Sequence, residues 1–397
     1  MTFLAARLSA LHAASFLVYG IYLPFFPVWL QSRGLGATAI GAIVAIPIAV
    51  RVAVTTPLVA LADGPVGTRR VLVASHAALA VAFAALLVAP GPLAIAAAVV
   101  LMAVAQAPII PLNDLVTMDA VRERSGLDYG AIRVWGSVAF LLASVGGGAV
   151  AASADPDVVV LLLAGLPGLG VLATLAALPR PPASRPDPGS PEPARPGRIP
   201  RSLWLVMAAA ACIQASHGAL YAFGSLHWRS LGFSEPAIGT LWAVGVAAEI
   251  SLFAALGRTA RTSSGALRLM VLGAVAAGAR WLSLALTTSL AWTFAFQLLH
   301  AFSFAATHVG ALALVSDLAP DGARGRAQGW MGTLNAVATA LSTVASGLLF
   351  RAAGPLAFAA MTPLALSGLL LTVAAARVLS PRPAPRSVDG EGERRRG

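Results

Sequence analysis

Long apolar runs separated by short polar segments dominate this chain from end to end. A run of about 20 apolar residues is the length that an α-helix needs to cross a bilayer. The pattern predicts twelve such helices and no strands. Their approximate bounds are 5–30, 37–60, 70–89, 93–120, 129–152 and 158–178 in the first half, and 203–228, 236–257, 265–287, 289–318, 326–350 and 356–378 in the second.

The two halves of the chain match each other at an offset of about 198 positions. The matching residues are Gly20 with Gly218, Ser32 with Ser230, Gly34 with Gly232, and Ala39-Ile40-Gly41 with Ala237-Ile238-Gly239. We therefore predict an all-α membrane protein built from two pseudo-symmetric six-helix bundles, 1–178 and 202–379. The segment 179–201 is rich in proline and arginine and predicts an extended linker. Residues 380–397 predict a disordered polar tail.

Composition supports this class and excludes others. The chain is 58% hydrophobic and 11% charged, and soluble domains carry about twice that charged fraction. All its basic residues are arginine, which excludes a phosphate-loop lysine and a Schiff-base lysine. The motifs HExxH and GxSxG are absent, so we expect neither an enzyme nor a metal site. We expect no cofactor.

The arginines also predict the orientation. Most of them lie in alternate polar segments, which become cytoplasmic when both termini are placed inside. The predicted external loops hold Arg33, Arg229 and Arg351. This distribution accounts for the net charge of +11 without nucleic acid as a partner. We expect a monomer in the inner membrane, in contact with lipid.

Charged residues inside the predicted spans are the strongest functional signal. An ionisable side chain at mid-bilayer costs at least ~2.5–3.5 kcal/mol, so each is a candidate site residue. Arg51 and Glu249 occupy equivalent positions in the two halves. Asp114 and Arg133 lie at similar depth in two consecutive spans. They predict either a salt bridge that holds these spans together or a substrate-binding or gating pair.

Arg280 and Gln297 likewise lie at similar depth on either side of a predicted external turn, and His300 lies one turn deeper. A guanidinium group binds carboxylates with two parallel hydrogen bonds, so Arg280 is the best candidate to hold an anionic group. The alternative is that Arg280 is the partner of Glu249. His308 lies two turns further along the same span.

Three polar stripes predict helices that line a water-filled cavity. They consist of His12, Ser15, Tyr19, Tyr22 and Phe26 on the first span; Gln214, His217, Tyr221, Ser225 and Trp228 on the seventh; and Gln328, Asn335 and Ser342 on the eleventh. The predicted substrate-binding set is Arg280, Arg133, Tyr19, His217, Tyr221, Gln297, His308 and Asn335.

Several segments carry a resemblance to known transporters. The stretch from Leu61 to Arg70 is similar to a weakened form of the major facilitator superfamily signature, and it implies gating or structural charges at Asp63, Arg69 and Arg70, to which we add Arg51. Five other segments resemble the phenylpropionate permease family. They are Tyr19-Gly-Ile-Tyr-Leu-Pro-Phe25, LDYGAIRVWGSVAF from Leu127, QASHGALYAF from Gln214, Arg280-Trp281 and LLHAFSFAATH from Leu298. That family belongs to the same clan as the lactose permease and the nucleoside–proton symporters.

The resemblance implies symport of a small molecule with protons by alternating access, with the proton gradient as the energy source. Lactose permease carries an acid and an arginine on its fourth and fifth helices, an acid on the eighth, an arginine on the ninth and a histidine on the tenth. Asp114, Arg133, Glu249, Arg280 and His300 occupy those helices here. This chain lacks a mid-membrane acid on its tenth span and has a neutral seventh span. These departures disfavour a sugar. A small aromatic or aliphatic carboxylate suits the predicted cavity better, because that cavity is rich in arginine and lined by aromatic side chains.

We expect Glu249 to carry the coupling proton, with His300 next and Asp114 as a further candidate. Movement of Arg280 or Arg51 relative to Glu249 would change its affinity for the proton. Two alternatives keep the fold: an efflux antiporter for drugs or metabolites, and a nucleoside or sugar symporter. A receptor or scaffold without transport is a third.

Overall fold

The described residues are almost entirely helical. The computed structural model describes residues 2–153, 155–178, 198–256, 262–320 and 323–379, and no strand occurs within them. The predicted tail and nearly all of the predicted linker fall on 179–197 and 380–397, outside the described residues.

Twelve helical segments follow one another along this part of the chain. They are α1 Phe3–Ser32, α2 Ala37–Asp63, α3 Thr68–Leu87, α4 Pro92–Glu123, α5 Tyr129–Ser153, α6 Asp157–Ala177, α7 Arg201–Ser230, α8 Glu235–Leu256, α9 Ser263–Leu286, α10 Leu290–Leu318, α11 Arg324–Ala353 and α12 Leu356–Leu379. Eleven of the described helices are long and apolar enough to cross a membrane. The helix α8 lies where the sequence predicts the remaining span.

Four of these segments are interrupted. They are α4 after Gln106, α7 after Ala215, α10 after Gln297, where a π-helical turn Ala301–Ala306 follows, and α12 after Ala359. In α4 the interruption coincides with Pro108, which has no backbone N–H to donate. In α7 the Ser216 hydroxyl donates to the Ile213 carbonyl oxygen, 2.6 Å away. Such a bond competes with the regular helical pattern.

The packing of the helices repeats after six segments. In the first half α1 packs against α5 and α6, and α3 packs against α6. In the second half α7 packs against α11 and α12, and α9 packs against α12. The contacts thus have the pseudo-symmetry that the 198-residue offset predicts, and the predicted fold class is confirmed.

The two halves meet through the equivalent pairs α2–α11 and α5–α8. Their closest contacts involve glycine. A Cβ atom on Gly41 would lie 2.9 Å from both the Gly347 Cα and the Thr343 carbonyl oxygen. A Cβ atom on Gly239 would meet the backbone of Ser144 in the same way. The absence of side chains therefore allows the backbones of the two halves to touch.

These glycine contacts all lie near one end of the helices, which we call the closed end; its loops include 33–36 and 231–234. At the opposite end the halves separate, and we call it the open end; its loops include 64–67 and 124–128. Gly329 and Gly332, on the part of α11 near the open end, have no atom within 4 Å of the position where a Cβ would lie. A cavity enters the molecule from this side.

Candidate functional site

The cavity lies between the two halves and has a volume of about 810 Å³. A side chamber of about 400 Å³ adjoins it. Both volumes lie in the range of roughly 300–1,000 Å³ that is usual for small-molecule sites. Nine residues line both spaces, which makes the two spaces continuous. Those with aromatic, charged or amide side chains are Tyr19, Arg51, Gln106, Tyr221 and Phe304.

Aromatic rings and positive charge characterise the main chamber. Its wall includes Phe16, Tyr19, Phe140, Tyr221, Trp242 and Phe304. The described charged residues that line it are three arginines, Arg51, Arg133 and Arg280, and one acid, Glu249. Because guanidinium groups remain charged, this excess of positive charge favours an anionic ligand.

Arg280 forms the centre of a hydrogen-bonded group in the second half. Its side chain is buried, with 1% of its surface exposed. Its Nη2 donates to Gln297 Oε1 at 2.6 Å, and its Nη1 lies 3.0 Å from His300 Nδ1. Gln297 is fixed in turn, because its Nε2 donates to the Leu241 carbonyl oxygen at 3.1 Å. The sequence predicted that Gln297 and His300 lie near the depth of Arg280, and in the structure both contact its guanidinium group.

The bond to Arg280 decides the protonation of His300. A guanidinium group only donates, so His300 Nδ1 has to accept and the ring proton has to lie on Nε2. His300 is therefore neutral here, and its Nε2 lies 3.6 Å from Glu249 Oε2. Glu249 and Arg280 are thus connected through His300, and no direct ion pair joins them within 4.0 Å.

The Asp114–Arg133 contact is present in the first half. Arg133 Nε lies 3.8 Å from Asp114 Oδ1, and the Tyr129 hydroxyl donates to the same carboxylate oxygen at 2.9 Å. The Arg133 guanidinium also lies over the Phe16 ring, 4.1 Å from its centre. Arg133 lines the cavity, whereas Asp114 lies behind it.

Arg51 differs from Arg133 because no carboxylate lies within 4.0 Å of it among the described residues. Its guanidinium lies beside the Tyr19 hydroxyl instead. Arg51 is exposed to the cavity and borders both chambers.

The remaining predicted binding residues divide between the two chambers and the interior. His308 and Asn335 line the side chamber. His217 is fully buried behind Tyr221 and is not among the residues that line either chamber. Its Nε2 lies 3.2 Å from the Ser303 hydroxyl, and its ring packs edge-on against Trp281. This arrangement supports the wall of the cavity.

The predicted gating charges of the α2–α3 loop lie at the open end, away from both chambers. Asp63 and Arg70 are exposed, and Arg69 is half-buried. The loop ends at Gly67, whose φ of +78° favours glycine.

Gln106 is a polar residue of the cavity that is missing from the predicted substrate-binding set. It is 5% exposed, and its Nε2 has no hydrogen-bond partner. It ends the first part of α4, Pro92–Gln106, whose other residues are all apolar. A lone amide in an otherwise apolar span, two residues before Pro108, was the available signal.

Comparisons with known proteins agree with this architecture. Residues 6–360 match the MFS_1 like family. The chain is 30% identical over 311 residues to a protein of Escherichia coli (strain K12) named "Probable 3-phenylpropionic acid transporter", covering 76% of this chain and 79% of the relative.

Two solved structures share the fold. A variant of the nucleoside transporter NupG superposes with a TM-score of 0.81 at 17% identity, covering 95% of this chain and 100% of that one. A bacterial homologue of the human lysosomal transporter Spinster gives 0.71 at 14% identity, covering 95% and 97%. On the match over residues 6–360, the chain belongs to the MFS_1-like family and is a multi-pass membrane transporter of the major facilitator superfamily.

Proposed function

We propose that this transporter is a proton-coupled symporter of a small carboxylate, with an aromatic acid as the preferred substrate. The observation that carries the proposal is the chain Arg280–His300–Glu249 on the wall of a cavity lined by aromatic rings. It connects a buried cation to an acid through a neutral histidine.

Charge balance provides the coupling. A buried guanidinium group needs a nearby negative charge. In the empty cavity Glu249 supplies that charge through His300. A substrate carboxylate bound at Arg280 supplies it instead, and the second negative charge then favours the protonated form of Glu249. Substrate and proton consequently bind together, which is the requirement for symport.

The hydrogen bonds support Glu249 as the proton carrier over His300. A proton on His300 Nδ1 would face Arg280 Nη1, which has no lone pair to accept it. Protonation of His300 thus requires the loss of its bond to Arg280, whereas Glu249 binds a proton without breaking that bond. Asp114 does not belong to the Arg280–His300–Glu249 series, because it contacts Arg133 and Tyr129 instead.

The orientation follows from the arginines. Arg69, Arg70, Arg122 and Arg124 lie at or near the loops of the open end, so we place this end and both termini in the cytoplasm. The structure then represents the inward-open state of an inner-membrane protein. Because the cavity is complete within one chain, a monomer is sufficient for transport.

The substrate class rests on the lining and on the relative. Three guanidinium groups favour a carboxylate, and six aromatic rings favour a ring that stacks on them. The E. coli relative is named for 3-phenylpropionic acid, which combines both groups. We therefore extend this substrate class to the present chain.

Uptake of labelled 3-phenylpropionate into liposomes tests the proposal. Symport of one monoanion with one proton is electroneutral, so internal pH and accumulated label are the readouts. An imposed inward proton gradient should drive accumulation and acidify the interior. Protein-free liposomes are the necessary control, because the protonated acid crosses lipid unaided. Accumulation driven by an outward proton flux would indicate an antiporter and contradict the proposal.

Glu249→Gln isolates the proton step. We expect this variant to exchange internal for external substrate at equal pH, since exchange needs no release of the proton. Gradient-driven accumulation should be lost. Asp119→Asn changes an exposed acid that pairs with Arg122 and is the matched control. If Glu249→Gln still accumulates substrate along a pH gradient, Glu249 is not the carrier.

A further inference from the structure

The first half of the cavity contains a second group of polar side chains that the Arg280–His300–Glu249 network does not use. Arg51, Tyr19 and Gln106 come from three different helices, α2, α1 and α4, and all three border both the main and the side chamber. They therefore lie where the two spaces join. The Arg280 group lies on the opposite wall, contributed by the second half.

The partners of Arg51 distinguish it from the other arginines of the cavity. Arg133 has Asp114, and Arg280 has Gln297, His300 and, through His300, Glu249. Arg51 has no carboxylate within 4.0 Å among the described residues and lies beside a neutral hydroxyl. Its charge is therefore free to bind an anion from the cavity.

Gln106 provides an independent observation at the same place. Its amide nitrogen is buried and donates to no acceptor, although buried donors in proteins are nearly always bonded. The side chain borders both spaces, as Arg51 does. An acceptor group located there would satisfy both donors.

Tyr221 borders both chambers and lies near charged groups of both halves. Its hydroxyl lies within electrostatic range of Arg51, of Arg280 and of Glu249. Both guanidinium groups thus act on one tyrosine hydroxyl from two halves of the protein, and both border the chamber that Tyr221 lines.

From this geometry we infer that Arg51 and Gln106 form a second recognition site for a carboxylate at the far end of the substrate. This inference rests on the proposed function and narrows it: the preferred ligand is an aromatic acid that carries a second carboxylate, and a monoacid occupies the Arg280 site alone.

The test compares two ligands on purified protein by titration calorimetry: 3-phenylpropionate and its para-carboxy derivative. The wild type should bind the diacid at least tenfold more tightly, because a hydrogen bond to a charged group contributes about 1.5–3 kcal/mol and 1.4 kcal/mol is a factor of ten. Arg51→Gln should abolish this preference, so that the diacid and the monoacid bind with similar affinity. A thermal unfolding midpoint equal to that of the wild type shows that the variant is folded.

Two further variants sharpen the result. Gln106→Leu should reduce the preference in the same direction. Thr55→Val lies on the same helix and borders the same chamber, but the Thr55 hydroxyl is satisfied by the Arg51 carbonyl oxygen at 2.7 Å; it should retain the full preference. Equal affinity of the wild type for both ligands, or an equal loss for both ligands in Arg51→Gln, overturns the inference. The proposed function fails separately, if neither ligand is bound or transported.

Discussion

Substitution of Gly239 by alanine provides a direct test of how the closed end holds the two halves together. A Cβ atom at this position would meet the backbone carbonyl of Ser144 on α5, and a backbone atom cannot turn aside as a side chain can. Overpacking of this kind costs about 1–3 kcal/mol. The cost applies only while α5 and α8 touch, so it favours opening of this end.

The expected magnitude follows from that cost. With 1.4 kcal/mol for each factor of ten, the equilibrium constant for opening the closed end should rise about 5- to 140-fold. Thr343 is a suitable probe, because it is fully buried and its backbone faces Gly41 at the other interface, α2–α11. A cysteine there reacts with a maleimide only when the closed end opens.

The assay uses detergent-purified protein in which Cys212, the one native cysteine, is replaced by serine and Thr343 by cysteine. Addition of Gly239→Ala should accelerate labelling by the factor given above. Gly278→Ala is the control, since the nearest atom to its new Cβ would be Thr362 Cγ2 at an ordinary 3.7 Å. Unchanged labelling in Gly239→Ala, or equal acceleration in the control, would refute the reasoning.

Three further substitutions test the polar network. Gln297→Leu leaves buried Arg280 without one acceptor, and we expect a loss of about 1–3 kcal/mol of stability; an unchanged thermal midpoint would contradict it. Arg280→Lys replaces the two parallel donors of a guanidinium group by a single ammonium group. Affinity for 3-phenylpropionate, measured by calorimetry, should fall about tenfold or more. Equal affinity would show that the carboxylate does not bind both donors. Tyr129→Phe removes the hydrogen bond to Asp114 and should cost about 1 kcal/mol in unfolding experiments; a stabilised variant would argue against that bond.

The number and order of the helices were predictable, because the length of an apolar run alone decides whether a helix can cross a bilayer. The internal repeat also indicated where the two halves touch, although its matching glycines alone did not show this. Gly41 and Gly239 are equivalent positions, and each lies where its helix touches the other half. The chain keeps glycine at both because backbone contact leaves no room for a side chain.

The sequence predicted how deep in the membrane each candidate side chain lies, but not towards which side of its helix it points. Counting residues from a turn fixes how far along a helix a side chain lies, and the structure places Arg133 beside Asp114 and His300 beside Arg280. Helices that are apolar on all sides do not reveal which face points inward. The position of His300 between Arg280 and Glu249 therefore required the structure.

Helix interruptions limited the prediction in a second way. The predicted polar stripe on α7 requires a continuous helix, but the helix is interrupted between Ala215 and Gly218. Tyr221 consequently faces the main chamber, whereas His217 is enclosed by Ser303 and Trp281. The cause is local, because side chains next to the break bond to the carbonyl oxygens of the preceding turn.

The π-helical turn Ala301–Ala306 affects how homologous sequences have to be aligned with this one. A π turn accommodates one residue more than an α turn, and one residue corresponds to a rotation of about 100° at 3.6 residues per turn. A relative with a regular helix here needs a one-residue gap in the alignment. Without that gap, equivalences that hold at His300 would assign the wrong face of the helix to His308, and every residue role transferred beyond the turn would be misplaced.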